Sequence, residues 1–458
     1  MTLNHIRTLY RRTPEIFRKP IEYIPIKYRL GGSNFSDTYS FLDQSEMWSH
    51  EQLNAYQREQ LQDLLQHAVE NVPYYHNIEL SHDDPFLNLK EFPIVDKDLL
   101  RENKYEFKSE SLNPKSTHNV TTGGTSGKPF SFLLDDSAYG AEWAFIMHGW
   151  RRVGYSPGDQ MITFKGNNYE NTDREKYWEY NPIYNTYEFS PFHLNSNTID
   201  HYIQKIQNIN PDYIHGYPSA ITKFAKLSQD NSKHLPNITA VLAASENVYQ
   251  TQREIIEDTF NTRLFSHYGQ SEKVALAAEC EYSNDYHFYP QYGVTEILDD
   301  DGQEVSIGER GEIVATGFLN KSMPFIRYRT GDYAIKGSVG DCPCGREYRT
   351  VESLQGREEK ERTIFIDESN EVPIHTIYYT MHGSTLDGVS SIQFYQENPG
   401  EITIRIEPHS DSTAVDPDEI IDDLQGKLGE DFNIEINFVE SIDLTESGKK
   451  KLLIQEYE

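Results

Sequence analysis

Between Thr198 and Val248 the chain alternates two kinds of segment. IDHYIQKIQNI and SAITKFAKLSQ carry apolar residues at helical spacing, whereas PDYIHGYP and ITAVLAASE are short strand-like runs. Strand and helix repeated in this way predict a mainly parallel sheet faced by helices, an α/β fold. Upstream, EQLNAYQREQLQDLLQHAVE sets Leu53, Tyr56, Leu61, Leu64, Leu65 and Ala68 at helical spacing and predicts a helix over Glu51 to Glu70, which NVPYYHN ends. Asp96 is placed to cap a short helix in FPIVDKDLLREN. SAYGAEWAFIMHGWRRVGY reads as a helix, DQMITFKG as a strand, and TRLFSHYGQSE as a strand running into a loop. YGVTEILDDDGQEVSIGERGEIVATGF predicts hairpin structure with turns at Asp301-Gly302 and Glu309-Arg310-Gly311. Past the charged stretch LQGREEKERT come two strands about a turn (SSIQFYQENPGEITIRIEP), a helix (PDEIIDDLQGKLG), a strand (FNIEINFVE) and a polar turn (LTESGKKKLLIQ). The expected organisation is a large N-terminal α/β domain over 1–356, with a β-rich subdomain, and a small α+β domain over 357–458.

Bulk properties narrow the function. A length of 458 residues exceeds one small core. A formal charge of -31 argues against a general nucleic-acid binder, which needs a basic footprint, but leaves room for a local anion site. No run approaches the roughly 20 apolar residues of a membrane helix, and Met1 to Leu30 lacks a signal-peptide core. That arm is basic, with Arg7, Arg11, Arg12, Arg18, Lys19, Lys27 and Arg29. It reads as a solvated arm packing on its own acidic domain; an anionic membrane surface or a partner is the other reading. Cys280, Cys342 and Cys344 form no even disulfide set. A cytoplasmic location is expected.

The segment Thr121-Thr122-Gly123-Gly124-Thr125-Ser126-Gly127-Lys128-Pro129 joins small residues, hydroxyls and a lysine. Glycines let backbone N–H groups approach phosphate oxygens, hydroxyls add donors, and Lys128 adds charge. It is not a P-loop. Only three residues separate Gly123 from Gly127, and Pro129 stands where a magnesium-binding Ser or Thr belongs. A flexible hairpin turn is the plain alternative.

This loop resembles the [ST]-[SG]-G-T-[TS]-G-x-P phosphate loop of the adenylate-forming enzymes: acyl-CoA synthetases, luciferases and peptide-synthetase adenylation domains. Four further elements follow in that family's order: Ser245-Glu246 after a strand, Tyr268-Gly269-Gln270-Ser271-Glu272, Tyr328-Arg329-Thr330-Gly331-Asp332, and Gly448-Lys449. VPYYHN, FPIVDKDLLREN, GYPSAI and TESGKKKLL are similar to the phenylacetate–CoA ligase branch, and within it to homologues encoded in capsule and exopolysaccharide gene clusters. The resemblance implies a large N-terminal domain and a mobile C-terminal lid. It implies ATP and magnesium as cofactors, a carboxylic acid as substrate, and CoA as a candidate acceptor.

The resemblance also assigns roles. Thr122, Gly123, Gly124, Thr125, Ser126, Gly127 and Lys128 would hold the β- and γ-phosphates. Tyr268, followed by Gly269, would stack on adenine, and Ser245 and Glu246 would shape its pocket. Ser271 would contact the α-phosphate, Glu272 bind magnesium, and Asp332 accept from the ribose hydroxyls. Lys449 would bridge carboxylate and α-phosphate, although Lys450 and Lys451 adjoin it. Arg357 marks the hinge. The need for such groups is electrostatic, because two anions must meet and pyrophosphate must leave.

Cys342 and Cys344 in DCPCGRE, with Cys280 and His287 in AAECEYSNDYHFY, make three thiolates and an imidazole, a complete tetrahedral set for a structural zinc. Three ordinary thiols are the alternative. For the acyl group, His148, Trp150, Lys165, Tyr217 and His267 are candidates by position, and Lys165 would favour a polar, acidic substrate such as a uronic or amino acid. After the hinge the sequence reads GREEKERTIFIDESNEVPIHTIYYT, without the Gly-rich segment and E-I-E helix common in CoA-using relatives. An amine or hydroxyl acceptor, such as one on a sugar, is therefore a live alternative to CoA, and a non-catalytic nucleotide-binding scaffold is the competing class.

Overall fold

The computed structural model describes all residues except 1–9, 11–12, 14, 123–129, 166–175, 192, 230–234, 358–362, 368–370, 375–388, 409–414, 430–431, 443–450 and 457–458. The expected βα alternation is present. Strands β3 (Met161–Phe164), β6 (Tyr213–Gly216), β7 (Ala240–Ala244) and β8 (Leu264–Gly269) are parallel neighbours, and β5 (Thr186–Phe189) joins β3 in the same sense. Their side chains alternate between two buried faces, as strands covered on both sides must. Ile162, Phe164, Ile214, Val241, Ala243 and Leu264 pack with Ile203, Ile221, Phe224 and Ile256 from the helices Ile199–Ile209, Pro218–Gln229 and Gln250–Phe260. Met161, Tyr213, Leu242 and Phe265 pack on the other face with Ala144, Phe145, Met147 and Trp150 from helix α1 (Ser137–Trp150).

The β-rich part continues the same sheet. Edge strand β4 (Trp178–Asn181) pairs antiparallel with β5. On the far side lie β9 (Leu276–Ala278), β10 (Tyr286–Phe288), β11 (Gly293–Leu298), β12 (Arg310–Gly317), β13 (Tyr328–Val339) and β14 (Arg349–Arg357). The twelve strands run β11-β12-β13-β14-β10-β9-β8-β7-β6-β3-β5-β4. The hairpin β11–β12 is as expected and Gly302 sits in a turn at φ 75, but the second turn lies earlier than expected. It is Ser306 to Glu309, closed by the Glu309 N–H donating to the Ser306 carbonyl at 3.1 Å, while Arg310 and Gly311 already belong to β12. Gly308, not Gly311, adopts the left-handed conformation that the turn needs.

The helix expected over 51–70 spans His50–Asn71, opened by Ser49 and Gln52 in a reciprocal capping box. Asp96 caps Lys97–Glu102 through the Leu99 N–H at 2.8 Å. Strands β1 (Thr117–Thr122) and β2 (Phe130–Asp135) form a separate antiparallel pair on either side of the glycine-rich loop, whose residues 123–129 lie outside the described residues. The basic arm packs on β4, with Arg18 pairing with Glu179 at 3.0 Å, Tyr10 donating to Asn181 at 2.9 Å, and Arg29 donating to the Pro182 carbonyl.

After Arg357 the described strands form their own sheets. Strands β15 (Thr363–Phe365) and β16 (Glu371–Pro373) are one pair. Strands β17 (Val389–Gln396), β18 (Glu401–Pro408), β19 (Asn433–Phe438) and β20 (Leu453–Gln455) run β19-β18-β17-β20. Their core of Phe394, Ile404, Ile406 and Leu453 packs against Ile420, Leu424 and Leu428 of the helix Pro417–Leu428. The final LIQ, expected as part of a polar turn, is instead strand β20, held parallel to β17. Its Leu and Ile alone were too short a signal to show a partner 60 residues away.

Candidate functional site

The carboxyl ends of β6, β7 and β8 converge, which is where open α/β sheets offer a crevice. At the end of β6, Gly216 lets the chain pass β3, since a Cβ there would meet the Phe164 carbonyl oxygen at 2.2 Å. Ser219, just beyond, donates through its N–H and its hydroxyl to Glu246, both at 3.1 Å. Glu246 follows Ser245, which holds φ at 70 after β7, a costly conformation for a serine. The segments GYPSA and ASE are thereby joined.

The motif after β8 is bound twice to the motif that opens β13. The Tyr268 hydroxyl donates to Asp332 Oδ2 at 2.9 Å and accepts from Gln270 Nε2 at 2.5 Å. Burial, reinforced by Asp332, pushes the Tyr268 phenol well above its ordinary pKa, so it stays a neutral donor. The Tyr328 hydroxyl donates to Glu272 Oε1 at 3.0 Å. Gly331, at φ 74, lies within β13 where its register with β12 shifts, just before Asp332, and its N–H donates to Glu312 at 3.2 Å. Arg357 at the end of β14 pairs in register with Asp332.

A third segment enters, for whose lysine the sequence pattern predicts no partner. Lys97 Nζ lies 3.1 Å from Glu272 Oε1, the same oxygen that Tyr328 reaches, and Glu272 is only 4% exposed. Val95 holds Lys97 in place by bonding on both sides of Tyr328, to the Arg327 carbonyl at 3.0 Å and from the Arg329 N–H at 2.8 Å. The sequence noted FPIVDKDLLREN but gave its lysine no role. A partner 175 residues away leaves no periodic mark.

The acyl candidates separate. His267 and Lys165 come together with His215, which was not singled out. His215 and His267 face α1, and Trp150 lies 4.8 Å and 5.9 Å from their ring centres. Burial, then the Lys165 charge, holds His267 at about 3 and His215 well below its ordinary range, so both are neutral. The His215 Nδ1–H donates to the Leu242 carbonyl at 2.7 Å, which leaves Nε2 as an acceptor. Trp150 Nε1 and His267 Nδ1 are buried without a hydrogen-bond partner. Tyr217 is buried among the apolar residues behind β3 and β6. His148 lies elsewhere, fully buried beside Asp43 at 3.5 Å and Glu46 at 3.8 Å, and burial lowers it to about 4. Gly269 and Ser271 are exposed at the rim. The side chains of Thr122 and Arg357, and residues Gly123, Gly124, Thr125, Ser126, Gly127, Lys128 and Lys449, lie outside what is described.

Cys280, His287, Cys342 and Cys344 do come together, with all four candidate ligand atoms within 4.8 Å of one another. Cys280 Sγ is 3.5 Å from Cys342 Sγ, and Cys344 Sγ is 3.4 Å from His287 Nε2. These are near the ligand separations, roughly 3.5–3.8 Å, of a tetrahedral zinc site. The His287 Nδ1–H donates to the Asp285 carbonyl at 3.0 Å, which turns the Nε2 lone pair towards the sulfurs. Backbone N–H groups of Tyr282 and Ser283 each reach Cys280 Sγ at 3.3 Å, support a thiolate needs. The sheet explains the meeting. Strand β10, with His287, pairs with β9 and β14, so the turn before β14 brings Cys342 and Cys344 against the turn after β9. The four donors could hold one metal ion.

Beside this cluster, buried Arg346 bonds Glu46 at 2.7 Å and Glu281 at 2.8 and 3.0 Å. Among the described residues no helix is long and apolar enough to cross a membrane.

Residues 368–456 match the CapK C-terminal domain family. Protein CapK of Staphylococcus aureus is 22% identical over 379 residues, 80% of each chain. Phenylacetate-coenzyme A ligase of Escherichia coli (strain K12) is 26% identical over 346 residues, covering 70% of this chain and 74% of that protein. Among solved structures, 2-hydroxyisobutyryl-CoA ligase in the postadenylation state, bound to an acyl-AMP, superposes with a TM-score of 0.66 at 17% identity. That match covers 90% of this chain and 92% of the ligase, and it establishes a shared fold.

Proposed function

We propose that this chain, a member of the adenylate-forming ligase superfamily and a distant homologue of CapK and of phenylacetate–coenzyme A ligases, activates a carboxylic acid with ATP and passes the acyl group to coenzyme A. The observation that carries this reading is the double tie between its two central motifs, Tyr268 to Asp332 and Tyr328 to Glu272. It sets two aromatic hydroxyls and two carboxylates at the mouth of a parallel sheet, the groups a ribose and a hard cation require.

In the first half-reaction a carboxylate oxygen attacks the α-phosphorus of ATP and the bond to pyrophosphate breaks; no proton is consumed. The barrier is mostly charge repulsion, so fixed donors and cations do the work. Residues 122–128 would hold the β- and γ-phosphates, Tyr268 would face adenine, Ser245 and Glu246 would border it, and Asp332 would accept from the ribose. Ser271 would meet the α-phosphate. Glu272 would hold magnesium, which supplies countercharge to the phosphates when bound. Lys449, from the lid over 357–458, would bridge the two reacting anions. In the second half-reaction the acceptor attacks the acyl carbon, AMP leaves, and the acceptor's proton passes to solvent. A lid turning near Arg357 would withdraw Lys449 and expose another face to the acceptor.

One observation favours a second reading of that acceptor: the stretch after Arg357 lacks the glycine-rich and E-I-E landmarks of CoA-using relatives. An amine or hydroxyl, as in polysaccharide modification, would then replace the thiol. The buried imidazoles, the Trp150 N–H and Lys165 suit a polar acid better than a purely apolar one. Cys280, His287, Cys342 and Cys344 would hold a structural zinc, because four protein donors leave no open position for chemistry. The deciding experiment is a magnesium-dependent pyrophosphate-release screen across aryl, fatty, amino and uronic acids. ATP binding with no release for any class would favour a scaffold.

A further inference from the structure

The charge of this chain is unevenly distributed. Residues 1–30 hold seven Lys or Arg against two Glu, a balance of +5, which leaves -36 for the remainder. Part of that basic arm is used in folding, since Arg18, Arg29 and Tyr10 fasten it to the edge of the sheet near β4. What the packing leaves in water is apolar and cationic together. Phe17 is 72% exposed, Tyr23 83%, Tyr28 63% and Ile24 44%. Four of the eleven exposed large hydrophobic side chains among the described residues thus fall within the twelve residues from Phe17 to Tyr28, where an even spread would put none or one. Lys19 and Lys27 are exposed among them, and Lys27 Nζ stands 5.0 Å from the centre of the Tyr28 ring. Glu22 is the single acid in the stretch.

An ordinary solvated face would not keep three neighbouring aromatic residues mostly in water, which costs apolar hydration without return. We propose that the face from Phe17 to Tyr28 seats this protein on an anionic lipid surface. The charge pattern selects this occupant. A headgroup layer offers negative charge to Lys19 and Lys27 and, a few ångströms deeper, an apolar boundary to Phe17, Ile24 and the tyrosine rings. The same surface repels the strongly acidic remainder, so the molecule would settle with this face down. The short helical turns Glu15–Arg18, Lys19–Tyr23 and Ile26–Arg29 give contact with one leaflet only. Binding of this kind is reversible and weakens with salt.

The test is co-sedimentation of the full chain with vesicles of phosphatidylcholine alone and with roughly a third phosphatidylglycerol. Binding to the anionic vesicles at low salt, release at high salt and no binding to the neutral ones are expected. Lys19→Ala with Lys27→Ala should lower partitioning about thirtyfold, from two lysines at an anionic surface. Phe17→Ser with Tyr23→Ser and Tyr28→Ser should abolish it at an unchanged unfolding midpoint. Absence of binding by the natural chain at low salt overturns the proposal, and so does equal binding by both variants. A change in the lipid-free sedimentation coefficient of the serine variant would also overturn it, because the face would then be covered by a second copy.

Discussion

Replacing Lys97 by methionine should loosen the protein and, at the same time, ease its use of magnesium. The side chain keeps most of its length and loses its charge. In the structure Lys97 Nζ sits 3.1 Å from Glu272 Oε1, and Glu272 is almost wholly buried, so the ammonium is the main countercharge to that carboxylate. A hydrogen bond of this charged kind contributes about 1.5–3 kcal/mol, and without magnesium the variant should be less stable by that amount. Tyr328 stays on the same oxygen and keeps the carboxylate aimed. If Glu272 is the magnesium ligand, the lysine competes with the metal, and its removal should lower the magnesium concentration for half-maximal pyrophosphate release by about tenfold to a hundredfold, the same energy expressed as affinity. The assay is pyrophosphate release against magnesium at saturating ATP and acid, with thermal unfolding in parallel with and without the metal. An unchanged magnesium dependence would refute the competition. A higher requirement would refute it too, and would place Lys97 on a phosphate instead.

Further expectations can be checked independently. Lys449→Ala should slow adenylation by about 10²–10³-fold, the scale of one lost transition-state contact, and leave ATP binding largely intact; normal turnover would move the role to Lys450. Elemental analysis of protein purified without added metal should find about one zinc per chain, and Cys344→Ser should lose it; metal-free protein with three reduced, reactive thiols would dismiss the site. Glu279 is buried, and burial, outweighing Arg253 and Arg263, raises its carboxyl to about 7. Its contribution to stability is therefore full below about pH 4.5 and lost as pH rises through about 7, so Glu279→Gln should hold up better between pH 5 and pH 8, by up to about 3 kcal/mol in urea unfolding; parallel profiles would contradict this. Glu359, two residues past Arg357, is the acid of the expected hinge; Glu359→Pro should still form acyl-adenylate but transfer it slowly to CoA or an amine, as followed by mass spectrometry, whereas equal loss of both half-reactions would point to misfolding or a fixed lid.

By itself the sequence determined many of the elements and their order, though not strand β20 or the exact turn before β12. The spacing of Leu53, Leu61, Leu64 and Leu65, the cap at Asp96 and the strand–helix alternation after Thr198 are local, periodic signals, and each became the element it implied. The motifs at Tyr268 and Asp332 could be seen as motifs, because each is written in consecutive residues. Only the tertiary structure decided which of these meet. Lys97 reaches Glu272 because Val95 bonds across Tyr328, and His215 stands with His267 because β7 spaces their strands on one face. His148, a candidate by position alongside His267, turns to Asp43 and Glu46 instead. The cysteines show the division most clearly: their number and spacing were plain, but two pairs some 60 residues apart become one site only because β10 is inserted between β9 and β14. Pairing between distant strands is set by the packing of the whole sheet, and no local run of residues encodes it.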